Sequence, residues 1–314
     1  MTLMSAAMLR KDRATDVAGE MSQLNISTTD AREPDAVERV IIFDWDDTIC
    51  PSTFVTRAEI TTLNDLSPDM RSVFAEICRC AEKALVKAAK YGEVIIITSA
   101  DEGWVEYSAE KFVPQLIPVL KGIRVISARS NYEEFYPGKS LCWKAAAFAH
   151  EANAIFHPVS PEPAAPTTKY ASDDDECSTA STATCSTASS AASSAVRREI
   201  LSFGDSMDER TAVRVVGTQL EAVSKSIKFI PRPSPVQILG ELSILVEQMA
   251  SVCKDAAENI DVEISRSHAM KAATKIMDGV CEEEERGSGS GGAGSGAKPS
   301  KSKSTLLSTI KALL

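Results

Sequence analysis

The chain has 314 residues and a formal net charge of −10, with 34 Lys and Arg against 44 Asp and Glu. This acidic balance provides no broad basic surface for nucleic-acid phosphates, so we expect no nucleic-acid partner. No apolar run reaches the roughly 18 to 20 residues of a membrane span, and the N-terminal stretch lacks the apolar core of a signal peptide. Eight scattered cysteines without paired spacing are typical of reduced thiols. We expect a soluble cytoplasmic protein, with a nuclear location left open.

The first predicted element begins near Val37, after a polar segment of residues 1–36 that we expect to be disordered. "RVIIF" (39–43) is short, β-branched and apolar, which is typical of a strand buried on both faces. Ser67 and Pro68 then form a helix start, as N-cap and first helical residue, and Gly92 ends that helix. The folded domain is predicted to cover residues 37–254.

Further strands alternate with helices along this domain. Four more strands are predicted in "EVIIIT" (93–98), "IRVISA" (123–128), "REILSFGD" (198–205) and "SIKFI" (226–230), and the helices between and after them in residues 101–112, 141–151, 211–223 and 234–253. This order predicts an α/β fold, a three-layer Rossmann-like parallel sheet with helices on both faces.

Two segments differ in composition from the rest. Residues 152–197 are rich in Pro, Ser, Thr and Ala, and residues 255–314 contain an acidic run, a Gly/Ser linker and a terminal "TLLSTIKALL" that can form a short helix. With so little apolar bulk, neither segment offsets the entropy of ordering. We expect a disordered insertion without catalytic groups and a mostly disordered tail.

Polar residues follow several predicted strands. Asp44, Asp46, Asp47 and Thr48 come directly after the first strand, where neighbouring carboxylates repel each other unless a cation compensates them. Because ligands bind beyond the carboxyl ends of parallel strands, this edge is the predicted site.

The order of these polar groups resembles the four motifs of the haloacid dehalogenase-like hydrolase superfamily. "DWDDT" matches its first motif, "IIIT" its second, a lysine ahead of the fourth strand its third, and "GDSMDE" its fourth. The resemblance covers the core and neither terminal segment. It implies a haloacid dehalogenase-like fold, here without a large cap domain, because the intervals after the first motif and the third strand are too short to hold one. An open site with a small flap from residues 50–66 is expected.

The resemblance also implies the catalytic roles. Asp44 is the expected nucleophile that forms an aspartyl-phosphate, and Asp46 the acid that protonates the leaving group and then activates water. Thr98 is expected to hydrogen-bond the phosphoryl group, with Ser99 as the alternative. Lys144 is expected to neutralise charge beside Asp44.

The implied cofactor is Mg²⁺, a cation that prefers oxygen ligands. Its expected ligands are Asp44, Asp46 through the main-chain carbonyl, Asp205 and Glu209. Asp208 competes with Glu209 for the last role.

The sequence leaves open which lysine enters the site. Lys139 competes with Lys144, and we favour Lys144 because its helix returns toward the site. Trp45 is expected to pack away from the metal, and Trp104 and Tyr107 are expected in the core.

Together, these residues predict a Mg²⁺-dependent phosphatase that acts on a phosphorylated partner, and the open site suggests a large one such as a phosphoprotein. The alternatives are a non-catalytic protein that recognises phosphate and a phosphotransferase. The oligomeric state is not predicted.

Overall fold

The computed structural model describes residues 37–158, 196–255 and 259–287. The predicted disordered N-terminal segment, residues 159–195 of the insertion and residues 288–314 of the tail lie outside the described residues.

A six-stranded sheet with all neighbouring strands parallel forms the centre of the molecule. Its order is β3-β2-β1-β4-β5-β6. The strands are β1 (Val37–Phe43), β2 (Glu93–Thr98), β3 (Arg124–Ser127), β4 (Arg197–Gly204), β5 (Val223–Lys228) and β6 (Ile260–Glu263). Parallel neighbours need crossover connections, and here helices supply most of them.

Helices cover both faces of this sheet. They are α1 (Ser52–Arg57), α2 (Pro68–Ala88), α3 (Trp104–Phe112), α4 (Ile117–Leu120), α5 (Ala128–Tyr132), α6 (Ser140–Phe156), α7 (Met207–Gln219), α8 (Pro235–Lys254) and α9 (Arg266–Gly287), with short 3₁₀ turns at Leu63–Asp65 and Pro114–Leu116. Side chains of β1 alternate between two apolar clusters: Ile41 and Phe43 join the cluster under α2 and α8, whereas Val40 and Ile42 join the cluster under α6 and α7. The three-layer α/β fold is therefore confirmed.

The predicted start of α2 is also confirmed. Ser67 is the N-cap, its hydroxyl accepts a hydrogen bond from the Met70 N–H at 3.3 Å, and Pro68 is the first helical residue. Both features follow from local chemistry, because a cap satisfies one of the free N–H groups and proline loses no hydrogen bond there.

The predicted end of the domain at residue 254 is wrong, because β6 and α9 follow it. β6 has only four residues at the sheet edge, so its pattern is too short to detect. α9 packs through small side chains: a Cβ added at Gly240 of α8 would lie 1.8 Å from the Ala269 carbonyl oxygen. Such close helix contact through small residues leaves little apolar bulk in the sequence, which is why we predicted a tail.

The predicted start of the insertion at residue 152 is also wrong by a few residues. Helix α6 continues to Phe156, and Ala152 and Phe156 are buried in the cluster under α6 and α7. Tertiary contact stabilises this last turn.

Within the described residues, α8 is long and apolar enough to cross a membrane by length and composition, and 61% of its apolar window is buried inside the structure. A core helix passes the same test.

The strand order contains a switch point that positions the site. The chain proceeds from β1 to β2 and β3 in one direction, and from β4 to β5 and β6 in the other, so the crossovers diverge between β1 and β4. A crevice opens at the carboxyl ends of two strands where the order reverses in this way. Asp44 follows β1 and Asp205 follows β4 at this point.

Candidate active site

The loop after β1 turns sharply at the switch point. The main-chain N–H of Asp44 donates to the Phe203 carbonyl at 2.8 Å, which extends the β1–β4 pairing by one residue. The Trp45 carbonyl then accepts from the N–H groups of Ile49 and Cys50 at 2.9 and 3.0 Å. Asp47 adopts the left-handed region with φ 54°, a conformation that aspartate tolerates better than most residues. This turn holds Asp44 and Asp46 beside the crevice.

A cavity of about 610 Å³ lies at this edge of the sheet. Segments that are distant in the chain contribute to it, since its wall comes from the β1 loop, α1, the β2 loop, the start of α6 and the β4 loop. The lining residues include Asp44, Asp46, Asp47, Ser52, Thr53, Thr56, Arg57, Ser99, Trp104, Ser140, Lys144, Asp205, Ser206, Asp208 and Glu209.

A buried lysine connects two of these carboxylates. Lys144 Nζ lies 2.6 Å from Asp44 Oδ1 and 2.8 Å from Glu209 Oε1, and it also donates to the Ile97 carbonyl at 2.9 Å. The lysine is 1% exposed and Asp44 is 6% exposed. Burial lowers the pKa of Lys144, but the charges of Asp44 and Glu209 outweigh it and raise that pKa above its usual value. Lys144 therefore stays cationic throughout the neutral range.

Glu209 uses both of its carboxylate oxygens within the protein. Oε1 pairs with Lys144, and Oε2 accepts from the main-chain N–H and the hydroxyl of Ser206 in a capping box at the start of α7. Its side chain also packs over Gly204, where an added Cβ would lie 2.7 Å from the Glu209 Cγ. Glu209, predicted as a metal ligand, is thus placed where its Oε1 orients Lys144 and its Oε2 caps α7.

Asp46 is held by two donors from the β2 side of the crevice. Its Oδ2 accepts from the Thr98 hydroxyl at 3.0 Å, and its Oδ1 accepts from the indole N–H of Trp104 at 2.8 Å. Thr98 is 1% exposed and its oxygen also accepts from the Ala100 N–H. The structure therefore places the Thr98 hydroxyl on Asp46, whereas Ser99 lines the cavity.

The acidic residues of the β4 loop differ in their surroundings. Asp205 Oδ2 accepts weakly from the Arg232 N–H at 3.4 Å, and its Oδ1 has no hydrogen bond among the described residues. Asp208 accepts from the Ser140 hydroxyl at 2.6 Å, which joins the starts of α6 and α7. Asp208 Oδ1 likewise has no hydrogen bond among the described residues, so the two differ in position: Asp205 directly follows β4 beside Asp44, whereas Asp208 is held by Ser140 in the first turn of α7.

Negative charge exceeds positive charge in this cavity. Burial raises the pKa of Asp44 well above its usual value; Lys144 opposes this shift, and Glu209 and Asp46 add to it. Burial and the charge of Glu209 raise the pKa of Asp205 to about 6. Burial likewise raises the pKa of Asp47. A cation would relieve this repulsion.

The oxygen atoms present fit Mg²⁺ ligation. Within the described residues, no hydrogen bond occupies the Asp46 main-chain carbonyl, Asp44 Oδ2 or Asp205 Oδ1. These are hard oxygen donors of the kind that Mg²⁺ prefers. In the same part of the chain no three acidic, His or Cys side chains form a metal-binding group by themselves. Main-chain and water oxygens would have to complete the coordination shell of the ion, which is common for Mg²⁺.

The competing lysine is separated from the site. Lys139 is the exposed N-cap residue of α6, one and a half turns before Lys144, and it does not line the cavity. Because successive helical residues point in different directions, only Lys144 faces the sheet. The structure thus brings Lys144 rather than Lys139 to Asp44.

The tryptophans have different surroundings. Trp45 is fully buried in the apolar core and donates to the Ser108 hydroxyl at 2.8 Å, which confirms its predicted packing role. The prediction that Tyr107 lies in the core is wrong, whereas Trp104 packs against the core cluster as a partly buried residue. Tyr107 is 53% exposed, and Trp104 is half-buried at the cavity wall.

Trp104 is the functional residue that we missed in the sequence. Its helix begins just after the carboxyl end of β2, with Gly103 in the left-handed region at the N-cap. Residues in a first helical turn after a strand face the ligand edge of a parallel sheet. This position, rather than the helical spacing of Trp104 and Tyr107, was the available signal.

Comparison with known proteins adds no relative: no protein-family model matches this chain, no curated protein matches it, and no solved structure matches it.

Proposed function

We propose that this protein is a Mg²⁺-dependent phosphohydrolase of the haloacid dehalogenase-like type that acts through an aspartyl-phosphate. The main support is the geometry at Asp44. This carboxylate lies at the switch point of a parallel sheet, with one oxygen on Lys144 and the other without a hydrogen bond among the described residues. Asp46, two residues later, faces the same cavity.

The first step forms a bond from a carboxylate oxygen of Asp44 to phosphorus and breaks the bond from phosphorus to the leaving oxygen. Lys144 holds Asp44 in place and balances its charge. Asp46, in its protonated form, gives its proton to the leaving oxygen, while Trp104 and Thr98 hold its carboxyl group in position. Such proton transfer contributes roughly 10² to 10⁴ in rate.

The second step releases phosphate. Asp46, now ionised, takes a proton from a water molecule whose oxygen attacks phosphorus, and the bond from phosphorus to Asp44 breaks. Inorganic phosphate leaves and Asp44 returns to its free form. Each carboxylate ends the cycle as it began.

The Asp44 carboxylate, the Asp46 main-chain carbonyl and Asp205 would hold Mg²⁺, which would supply positive charge to offset that of the phosphate. Ser99 at the cavity wall is the candidate hydrogen-bond donor to the phosphoryl group, in place of Thr98.

The shape of the site favours substrates that are not fully enclosed. Between Asp46 and the start of β2 the described chain holds only α1, a 3₁₀ turn and α2, so it contains no inserted cap domain there. α1 borders the cavity through Thr53 and Arg57. Such an open site suits a phosphate on a large molecule, and a cytoplasmic phosphoprotein is one candidate.

Hydrolysis of p-nitrophenyl phosphate by the purified protein tests this proposal. We expect turnover with Mg²⁺, none after removal of the metal with EDTA, and a loss of at least about 10³-fold in Asp44→Asn. Trapping the aspartyl-phosphate and finding its phosphate bound to Asp44 would assign the nucleophile directly. Full activity of Asp44→Asn would disprove the mechanism, and binding of phosphopeptides without turnover of any phosphoester would indicate a recognition protein instead.

A further inference from the structure

A second cavity, of about 400 Å³, adjoins the candidate active site. Thr53 and Arg57 of α1 line both cavities, so the two spaces meet along one face of this helix. The remaining wall comes from the loop after β5 and from the starts of α8 and α9. This part of the wall consists of Arg232, Pro233, Ser234, Gln237 and Arg266, and Phe54 and Ala58 add to the wall from α1 and its C-cap.

The charge of the second cavity is opposite to that of the first. Its lining contains Arg57, Arg232 and Arg266 and no acidic residue, in a protein with net charge −10. Across the part of the chain that the structure describes, none of the three arginines forms a salt bridge. Three guanidinium groups around one cavity repel one another unless an anion lies between them. This cavity therefore carries excess positive charge beside the acidic first cavity, but on exposed guanidinium groups whose repulsion solvent screens, unlike the buried carboxylate of Asp44.

Neutral groups add hydrogen-bond donors to this cavity. Gln237 is 5% exposed, and its Oε1 accepts from the Ser234 N–H at 2.9 Å in the capping box of α8. The side-chain NH₂ of Gln237 donates no hydrogen bond to any described residue. The first turns of α8 and α9 both contribute to the wall, and the positive ends of helix dipoles favour an anion there.

The backbone of Arg232 joins this cavity to the candidate metal site. Arg232 adopts the left-handed region with φ 51°, an unfavourable conformation for a residue with a side chain. In this conformation its N–H lies 3.4 Å from Asp205 Oδ2, while its side chain lines the second cavity. One residue thus contacts both sites.

We propose that the second cavity binds a second phosphate group of the substrate. The inference rests on the proposed function for its catalytic part, and it specifies the substrate class as phosphoesters that carry two phosphates. Guanidinium groups match phosphate in charge and in hydrogen-bond geometry. With one phosphate at Asp44 and the other among the arginines, the enzyme distinguishes these substrates from monophosphates, which leave the arginines unpaired.

The anion site is tested first without catalysis. In EDTA, inorganic pyrophosphate is titrated into the full chain and the melting temperature is followed. We expect a rise of about 3 °C at ten times the Kd. The double variant Arg232→Gln/Arg266→Gln should lose most of this rise, and Arg266→Glu should lose it as a single change. Arg214→Gln, an exposed arginine of α7 outside the cavity, should keep it. An equal rise in all four proteins would overturn the site.

The substrate class is tested next, with Mg²⁺. Alkanediol bisphosphates of increasing chain length are compared with the matching monophosphates. We expect kcat/KM to favour the best bisphosphate by about tenfold or more, and the double variant to reduce this ratio to about twofold or less. A ratio near one in the parent would overturn the substrate assignment. If no phosphoester is hydrolysed while pyrophosphate binding depends on the arginines, the proposed function fails and the anion site stands.

Discussion

The indole N–H of Trp104 donates to Asp46 Oδ1 at 2.8 Å, so a residue of α3 holds the proposed general acid in place. We predict that Trp104→Phe, which keeps an aromatic ring and removes this donor, lowers kcat for p-nitrophenyl phosphate about tenfold with little change in KM. The melting temperature should fall only slightly. Tyr107→Phe, on the exposed side of α3, is the control and should retain the parent rate.

The same variant gives a second, sharper readout. If Trp104 acts through Asp46, Trp104→Phe should have almost no further effect in an Asp46→Asn background. An additive loss in the double variant would mean that Trp104 acts on the site by another route.

Lys144 compensates two buried carboxylates, and we predict that Lys144→Met is inactive and destabilised by about 3 to 5 kcal/mol at pH 7. Lys144 has a raised pKa, so in the parent its contribution is present at neutral pH and is lost only in strong alkali. In the variant, Asp44 and Glu209 take up protons as the pH falls, so we expect the deficit to shrink near pH 5. Thermal unfolding across this pH range measures it. Lys139→Met, at the exposed lysine of the same helix, should unfold like the parent at every pH.

Near the amino end of β4, away from the candidate site, Glu199 pairs with three cationic side chains. Its oxygens lie 2.8 Å from Arg39 Nε, 2.8 Å from Arg197 Nε and 3.1 Å from Lys225 Nζ. Burial raises the pKa of Glu199, but the hydrogen bonds from Arg197 and Arg39 and the charge of Lys225 outweigh it, so the pKa lies below its usual value. We predict that Glu199→Gln loses about 3 to 5 kcal/mol of unfolding free energy.

The lowered pKa of Glu199 determines how its contribution to the free energy of unfolding varies with pH. A lowered carboxylate pKa stabilises the fold above the unfolded pKa, near 4.5, and this contribution disappears as the pH falls through the folded value. Denaturant unfolding should therefore show a constant gap between parent and Glu199→Gln above pH 5 that narrows in acid. Glu133→Gln, in a surface pair with Arg129, should cost less than about 1 kcal/mol. A similar loss in both variants would show that burial of the Glu199 cluster is unimportant.

The pKa of Glu241 is shifted in the opposite direction from that of Glu199, so its effect on stability varies with pH in the opposite sense. It is fully buried on α8, its Oε1 accepts from the Ile230 N–H at 2.5 Å, and its Oε2 has no hydrogen-bond partner among the described residues. Burial raises its pKa well above the usual value, and the charge of Asp205 adds to this shift. A raised acid pKa destabilises the fold as the pH rises above the unfolded value, because the folded state retains a proton that the unfolded state releases.

We therefore predict that Glu241→Gln, neutral at every pH, melts above the parent at pH 8, and that the two melting temperatures converge toward pH 4.5. The exposed Glu247 of the same helix provides the control, and Glu247→Gln should follow the parent. If Glu241→Gln were less stable than the parent at pH 8, Glu241 would be ionised in the folded protein.

Local sequence determined the alternation of strands and helices. "RVIIF" and "EVIIIT" are strands buried on both faces, and such strands need continuous β-branched apolar side chains. Ser67 and Pro68 marked a helix start for an equally local reason. The acidic pair Asp44 and Asp46 could be found in the same way, because it directly follows a strand.

Features that depend on packing could not be read from the sequence. β6 and α9 become ordered by adding to the sheet edge and by close contact at Gly240, neither of which leaves a strong apolar pattern. The sequence favoured Lys144 over Lys139, but the burial of Lys144 depends on which side of α6 faces the sheet.

The sequence predicted which residues meet at the site, but only the tertiary structure shows how they contact one another. Strand order places Asp205 beside Asp44 across the β1–β4 switch point, although about 160 residues separate them in the chain. The arginine cavity likewise joins Arg57, Arg232 and Arg266 from three distant segments. Secondary structure follows from the preferences and burial of neighbouring residues, whereas the convergence of distant charges requires the crossovers of the sheet, whose order no local pattern specifies.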